Sequence, residues 1–212
     1  SGVGAIPAPA LVLLGILSVQ VGSALAKHLF DEVGSFGTVA LRLFFAAAVL
    51  MLLWRPSLRM RRRTWTVVLG YGATLGLMNL CFYLALARIP LGIAVTTEFL
   101  GPLAVALAGS RRWLDAFWAV LAAGGVVLLM EGRGDLEVVG FLFALAAGAC
   151  WGLYILVGAA LGRHTTEGNG LALGMAVAAL VAVPFGVADS GTALVQPWIL
   201  VAGLGVALLS SV

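Results

Sequence analysis

The feature that most constrains this chain is a series of long apolar runs, separated by short connections that are charged or rich in proline and glycine. The runs cover residues 9–27, 36–54, 65–87, 91–109, 113–130, 138–161, 170–187 and 198–212. A helix crosses the hydrocarbon core of a bilayer with about 20 mostly apolar residues. With 62% hydrophobic and 10% charged residues, the chain has too little polar surface to cover a soluble domain. We therefore predict an all-α, polytopic transmembrane helix bundle.

The connections are only a few residues long, which predicts that consecutive helices are antiparallel neighbours. They leave no room for a separate soluble domain, so catalysis in a loop domain is not expected. The arginines lie between apolar runs rather than in a basic patch interleaved with aromatics, so no nucleic-acid partner is expected. The expected partners are the lipid bilayer and a small molecule, and the oligomeric state is left open.

Two other classes of membrane protein are disfavoured by the sequence. A membrane-embedded enzyme needs a nucleophile and a base, or metal ligands, at one depth, but there is no HExxH motif and neither His28 nor His164 is in mid-span. Cys81 and Cys150 form no metal-ligand or disulfide pattern. A channel would favour a ring of like charges, which one chain does not display. We expect no enzyme activity, no cofactor and no metal.

Arginine collects in alternate connections, which predicts the orientation of the bundle. The arginine-rich connections contain Arg55, Arg59, Arg61, Arg62 and Arg63, then Arg111 and Arg112, then Arg163. The intervening connections are acidic on balance: they carry Asp31 and Glu32, then Arg88 alone, then Glu131, Arg133, Asp135 and Glu137, then Asp189. We call these two sides the basic end and the acidic end. Short cytoplasmic loops are enriched in Lys and Arg, so the acidic end is expected to face outward and the N-terminus to be cytoplasmic.

Two charged residues fall well inside predicted spans, where each costs about 2.5–3.5 kcal/mol on insertion scales. Arg42 lies in the second run and Glu98 in the fourth, and both are about six or seven residues from the acidic end. At 1.5 Å per residue, both side chains are expected roughly 10 Å below that surface. The two charges are therefore predicted to share one depth.

Other polar side chains are predicted at the same level. The first run contributes Gln20 and the third contributes Asn79 and Tyr83, while Thr97 directly precedes Glu98. A polar layer within lipid indicates a water-accessible cavity. In the sixth run Trp151 and Tyr154 belong to one helical stripe, which is either a wall of this cavity or core packing.

Pro102 follows Glu98 by four residues. Proline has no backbone N–H, so the carbonyl group of Glu98 loses its usual partner in the helix. We therefore expect the fourth helix to loosen beside the acidic side chain.

A guanidinium and a carboxylate facing one cavity complement the carboxylate and ammonium groups of an amino acid. Glu98 also offers a coupling route, because a proton and the substrate ammonium would compete for its carboxyl group. Three alternatives remain open. Arg42 can extend toward the lipid headgroups, Glu98 can be a neutral acid, or Arg42 and Glu98 can form a permanent structural ion pair.

Three stretches carry a resemblance to a known family: GSALAKHLFDEVGSFGTVALRL, LGLMNLCFYLALARIPLGIAVTTEFLGPLAVALAGSRR and GACWGLYILVG. They resemble the EamA branch of the drug/metabolite transporter superfamily and, within it, the threonine/homoserine exporters. The most specific part is PLGIAV followed by an acidic residue and GPLAVAL.

The resemblance implies ten helices in two inverted repeats of five, in a bacterial inner-membrane exporter of small metabolites. On that plan, residues 1–134 form the first repeat and residues 135–212 form part of the second, about two and a half helices. We expect the chain to stop after about eight helices. The implied function is secondary export of amino acids such as threonine or homoserine, and the alternative is export of another small metabolite or drug-like compound.

Overall fold

The computed structural model describes residues 8–110, 113–131, 137–165 and 168–210, although not every side chain within the helices. These residues form helices and contain no strand. The helices are α1 (Ala8–Trp54), α2 (Arg62–Leu86), α3 (Leu91–Glu98), α4 (Leu100–Gly109), α5 (Trp113–Glu131), α6 (Val138–His164), α7 (Asn169–Ser190) and α8 (Pro197–Ser210). A short 3-10 helix, Gly191–Val195, joins α7 to α8.

Five segments within the described residues are long and apolar enough to cross a membrane. They are His28–Trp54, Arg62–Leu86, Leu91–Gly109, Val138–His164 and Asn169–Val195. The other three predicted spans, 9–27, 113–130 and 198–212, each include side chains outside the described part of the chain. The prediction of an all-α polytopic membrane bundle is confirmed.

A single glycine divides α1 into two arms, residues 8–33 and 35–54. Gly34 has φ 64° and ψ −176°, a conformation that side chains with a Cβ atom rarely adopt. Helix α8 touches both arms at one level, because Gly205 faces Leu25 while Gly203 faces Leu41. The arms therefore run back along each other from Gly34, and they correspond to the first two predicted spans. The acidic residues at 31 and 32 are helical rather than part of a loop.

The largest contacts join helices that are distant in sequence. Helix α1 packs mainly on α7 and α8, and α2 packs mainly on α6 and α7, whereas α1 and α2 share only a small contact. Consecutive helices such as α1 and α2 therefore touch, but their contacts are smaller than those between helices distant in sequence. Small residues explain the difference, since a Cβ atom on Gly72 would overlap the backbone of α7 at Gly174. In lipid, helices associate where small residues let their backbones approach.

The predicted fourth span is interrupted at Phe99, between α3 and α4. The backbone N–H of Phe99 bonds to the carbonyl oxygen of Val95, and that of Leu103 bonds to the oxygen of Phe99. Pro102 has no N–H to offer the carbonyl group of Glu98. The predicted loosening of this helix is confirmed.

Helix α6 approaches this interruption through a glycine contact. A Cβ atom on Gly101 would overlap the carbonyl oxygen of Gly148, and one on Gly148 would lie 2.7 Å from the carbonyl oxygen of Glu98. The backbones of α4 and α6 therefore touch directly. This contact therefore sets the depth of Glu98 in the membrane and the side of α6 on which it lies.

The contact predicts a selective loss of stability for Gly101→Ala. The added methyl group must push α4 away from α6, and overpacking of this kind costs about 1–3 kcal/mol. Gly124→Ala in α5 is the matched control, because a Cβ atom there meets open space and alanine is favoured over glycine in a helix by about 0.5–1 kcal/mol. Thermal unfolding of the two purified variants in detergent compares them. Equal melting temperatures for the two variants would contradict the proposed contact.

Candidate substrate site

Arg42 lies on the second arm of α1 and turns into the bundle, where it is half-buried. Its Nη2 atom donates a hydrogen bond to Oδ1 of Asn79 on α2. Its Cζ atom lies 5.8 Å from the centre of the Tyr83 ring, within cation–π range. Both α2 residues are buried, with Asn79 3% and Tyr83 5% exposed. The side chain of Arg42 therefore points at α2 rather than extending to the lipid headgroups.

The amide group of Asn79 is held in one orientation. Its Nδ2 atom donates to the carbonyl oxygen of Leu75 at 2.8 Å, so Oδ1 faces the guanidinium group. Tyr83 lies one helical turn further along α2 and packs against Phe30 of α1, with ring centroids 5.3 Å apart. Asn79 and Tyr83 therefore both hold the guanidinium group of Arg42 in position.

Glu98 ends α3 and is 8% exposed. The positive charge of Arg42 acts on its carboxyl group. No direct ion pair joins the two side chains, and among the described residues the ion pair found is Arg88 with Glu137 at 3.4 Å, at the acidic end. The structure thus brings the two intramembrane charges into electrostatic range without a permanent ion pair between them.

A cavity of about 460 Å³ opens beside Arg42. Its lining residues are Ala26, Phe30, Arg42, Phe82, Tyr83, Leu86, Ile89, Pro90, Leu91, Gly92 and Val95. Leu91, Val95 and Glu98 follow a 4-3 spacing on one stripe of helix, which puts Glu98 one turn deeper than Val95. The loop between α2 and α3 contributes Ile89 and Pro90, so the cavity lies at the acidic end.

Thr97 is close to this site in sequence but does not line the cavity. It is fully buried, and its Oγ1 atom has no hydrogen-bond partner in the described part of the chain. Thr96, Thr74 and Thr38 instead donate to the carbonyl group four residues earlier, at 2.6–2.8 Å. The hydroxyl group of Thr97 is therefore the exception among these helical threonines.

The aromatic stripe of α6 lies elsewhere. Trp151 packs on Phe99, with ring centroids 4.9 Å apart. The hydroxyl group of Tyr71 donates a hydrogen bond to that of Tyr154 at 2.7 Å, and both tyrosines line a second cavity of about 500 Å³. This cavity includes Thr165 and Gly168, so it lies at the basic end. Neither Trp151 nor Tyr154 lines the cavity beside Arg42.

The side chain of Gln20 lies outside the described residues, so its predicted place in the cavity stays a prediction. Sequence analysis missed the apolar walls, formed among others by Phe30, Phe82 and Leu86. It also missed Tyr71. Apolar residues in a membrane helix face lipid and cavity alike, so no sequence signal marks those that line a site.

Two curated relatives match almost the whole chain. The threonine/homoserine exporter RhtA of Salmonella typhimurium (strain LT2) is 43% identical over 208 residues, which is 96% of this chain and 70% of the relative. The exporter of the same name from Escherichia coli (strain K12) is 42% identical over 205 residues, 95% of this chain and 69% of the relative. No family model and no solved structure matches the chain. Identity at this level, over more than two thirds of each relative, means that the chain belongs to the threonine/homoserine exporter family.

Proposed function

We propose that this protein is a secondary transporter that exports threonine, homoserine or a related small amino acid across the bacterial inner membrane. We assign it to the EamA branch of the drug/metabolite transporters. The observation that carries the proposal is the position of Arg42, which Asn79 holds at the edge of a cavity and within electrostatic range of Glu98. The names of the relatives supply the substrate class.

The two charges divide the recognition of a zwitterion between them. Arginine has five N–H donors, and the hydrogen bond to Asn79 uses one of them. Donors on the guanidinium group remain for the substrate carboxylate, whose planar geometry they match. Glu98 takes the ammonium group from the deeper side of the cavity. The missing ion pair between Arg42 and Glu98 supports this division, because it leaves both charges available.

Glu98 also couples transport to protons in this proposal. Its carboxyl group is mostly shielded from water and binds either a proton or the substrate ammonium group, but not both. Substrate release toward the acidic end then permits protonation, and deprotonation at the other side permits substrate binding. Export driven by proton exchange follows from this competition.

The packing of the helices supports two inverted repeats, residues 1–134 and 135–212. Numbering the predicted spans one to eight, the main contacts join spans three and six, three and seven, and four and six, while span seven packs on span two and span eight touches spans one and two. A shift by five spans exchanges three with six for eight with one and three with seven for eight with two, and it returns two with seven to itself. Such exchange is typical of inverted-repeat carriers, whose site lies between the repeats.

The arginine distribution supports a cytoplasmic N-terminus and an outward-facing acidic end. Arg88 and Arg133 fall in acidic-end connections of the sequence against this rule. Arg88 is paired there with Glu137. On this orientation, the cavity beside Arg42 opens outward and the tyrosine-lined cavity opens to the cytoplasm.

Glu98→Gln is expected to slow threonine efflux by about tenfold or more, because hydrogen bonds to charged groups contribute about 1.5–3 kcal/mol. Efflux of labelled threonine from proteoliposomes with an imposed proton gradient measures the change. Glu137→Gln is the matched control, since it removes the same charge from an exposed side chain at the acidic end and should transport normally. Equal rates for wild type and Glu98→Gln would remove Glu98 from the mechanism.

Asn79→Asp is expected to raise the KM for threonine by about tenfold or more, with a smaller effect on the maximal rate. The new carboxylate forms a buried ion pair with Arg42 and competes with the substrate carboxylate, an interaction that costs several kcal/mol to break. Gln196→Glu adds the same charge at an exposed position just before α8 that lines neither cavity, and it serves as control. A KM within twofold of wild type for Asn79→Asp would rule out Arg42 as the carboxylate site.

A further inference from the structure

The cavity beside Arg42 has two chemically different parts. One part is the charged layer, where Arg42 and Tyr83 line the cavity and Arg42 bonds to Asn79; Asn79 and Glu98 do not themselves line it. The other part is the wall toward the acidic end. Apart from Arg42 and Tyr83, the described lining residues are aliphatic residues, phenylalanine, proline and glycine.

An amino acid bound to the charged layer projects its side chain along this apolar wall. Val95 and Leu91 line it from α3, about one and two turns beyond Glu98, and Phe82 and Leu86 line it from α2. Among the described lining residues, the phenol of Tyr83 is the one side-chain hydroxyl that a substrate hydroxyl could meet. The hydroxyl group of Thr97 is buried outside the cavity.

The size of the cavity also exceeds what a small hydroxylated side chain requires. Ligand pockets of about 300–1,000 Å³ normally enclose much larger molecules, and this one measures about 460 Å³. A pocket built to select a hydroxyl group presents buried polar partners, and it rejects the analogue that lacks the hydroxyl by about 10⁴-fold or more. The described wall presents an apolar surface instead.

We infer that this wall is an apolar side-chain subsite, and that the protein also carries amino acids with aliphatic side chains, binding them more tightly as the side chain lengthens. The inference rests on the proposed function, since it assumes that Arg42 and Glu98 hold the amino-acid end. The protein then selects among amino acids by the apolar side-chain surface that each one buries against this wall. The hydroxyl groups of threonine and homoserine are tolerated at this site rather than recognised.

Burial of apolar surface sets the expected scale. Each buried methylene group tightens binding by about fourfold. The straight-chain series alanine, 2-aminobutyrate, norvaline and norleucine adds one methylene at each step. Valine has the shape of threonine with a methyl group in place of the hydroxyl, so it isolates the contribution of that hydroxyl.

The test uses the protein in proteoliposomes with labelled threonine, and these amino acids as competitors. We expect the inhibition constant to fall by about fourfold at each step of the series, and valine to compete at least as well as unlabelled threonine. A flat or rising series overturns the inference. So does a valine constant about tenfold or more above that of threonine, because the site would then recognise the hydroxyl group.

A variant pair tests the location of the subsite. Val95→Phe fills the cavity next to α3 and should reduce the preference for norleucine over threonine by about 16-fold, the loss of two methylene contacts at about fourfold each. Leu180→Phe adds the same bulk to a residue that is 74% exposed on α7 and should leave this preference unchanged. If Val95→Phe keeps the wild-type preference for norleucine over threonine, the subsite does not lie beside Val95.

Labelled norleucine is measured in parallel with labelled threonine, so that the two proposals fail separately. If the protein transports threonine but not norleucine, the apolar subsite is contradicted and the proposed function stands. Transport of norleucine without threonine supports the subsite and overturns the threonine assignment. Absence of both overturns both.

Discussion

The arrangement of this bundle depends on the solvation of one guanidinium group within the membrane. A charge at this depth is expensive unless protein groups replace the water that it loses. Arg42 donates a hydrogen bond to Asn79 and lies within cation–π range of the Tyr83 ring, and the charge of Glu98 is nearby. These partners come from α2 and α3, so both helices must place these residues at the level of Arg42. Residues of all three helices line the cavity beside Arg42.

Glycine contacts make this arrangement possible. Apolar burial does not drive helices together in lipid, so close backbone approach must supply the packing energy. Gly101 and Gly148 bring α4 against α6, and Gly148 lies directly on the backbone of Glu98. The same helix carries Tyr154, which bonds to Tyr71 on α2. Helix α6 therefore holds α2 and α3 in fixed positions on either side of the charged layer.

The sequence predicted the helices and the charged layer for the same reason, because helical rise converts residue number into depth. Counting from the acidic end placed Arg42, Asn79, Tyr83 and Glu98 together, and Pro102 predicted the interruption beside Glu98. Depth does not determine direction around a helix axis. In lipid an apolar residue suits a wall, a core or an outer face equally, so Phe82 and Leu86 could not be recognised as cavity residues. The packing of α1 on α7 and α8 was also not predicted, because it depends on matching small residues far apart in the chain.

One stripe of α2 connects the two cavities. Tyr71, Leu75, Asn79 and Tyr83 recur every fourth residue and are all buried. Tyr71 lines the cavity at the basic end and Tyr83 lines the one at the acidic end, about 18 Å apart along the helix. Leu75 and Asn79 lie between them, and the core that surrounds Leu75 includes fully buried Val39 and Leu43. The described cavities share no lining residue, so a solute passes between them only if this layer repacks. Interfaces packed on glycine can shift between discrete arrangements, and the hydrogen bond between Arg42 and Asn79 lies within the layer that would move.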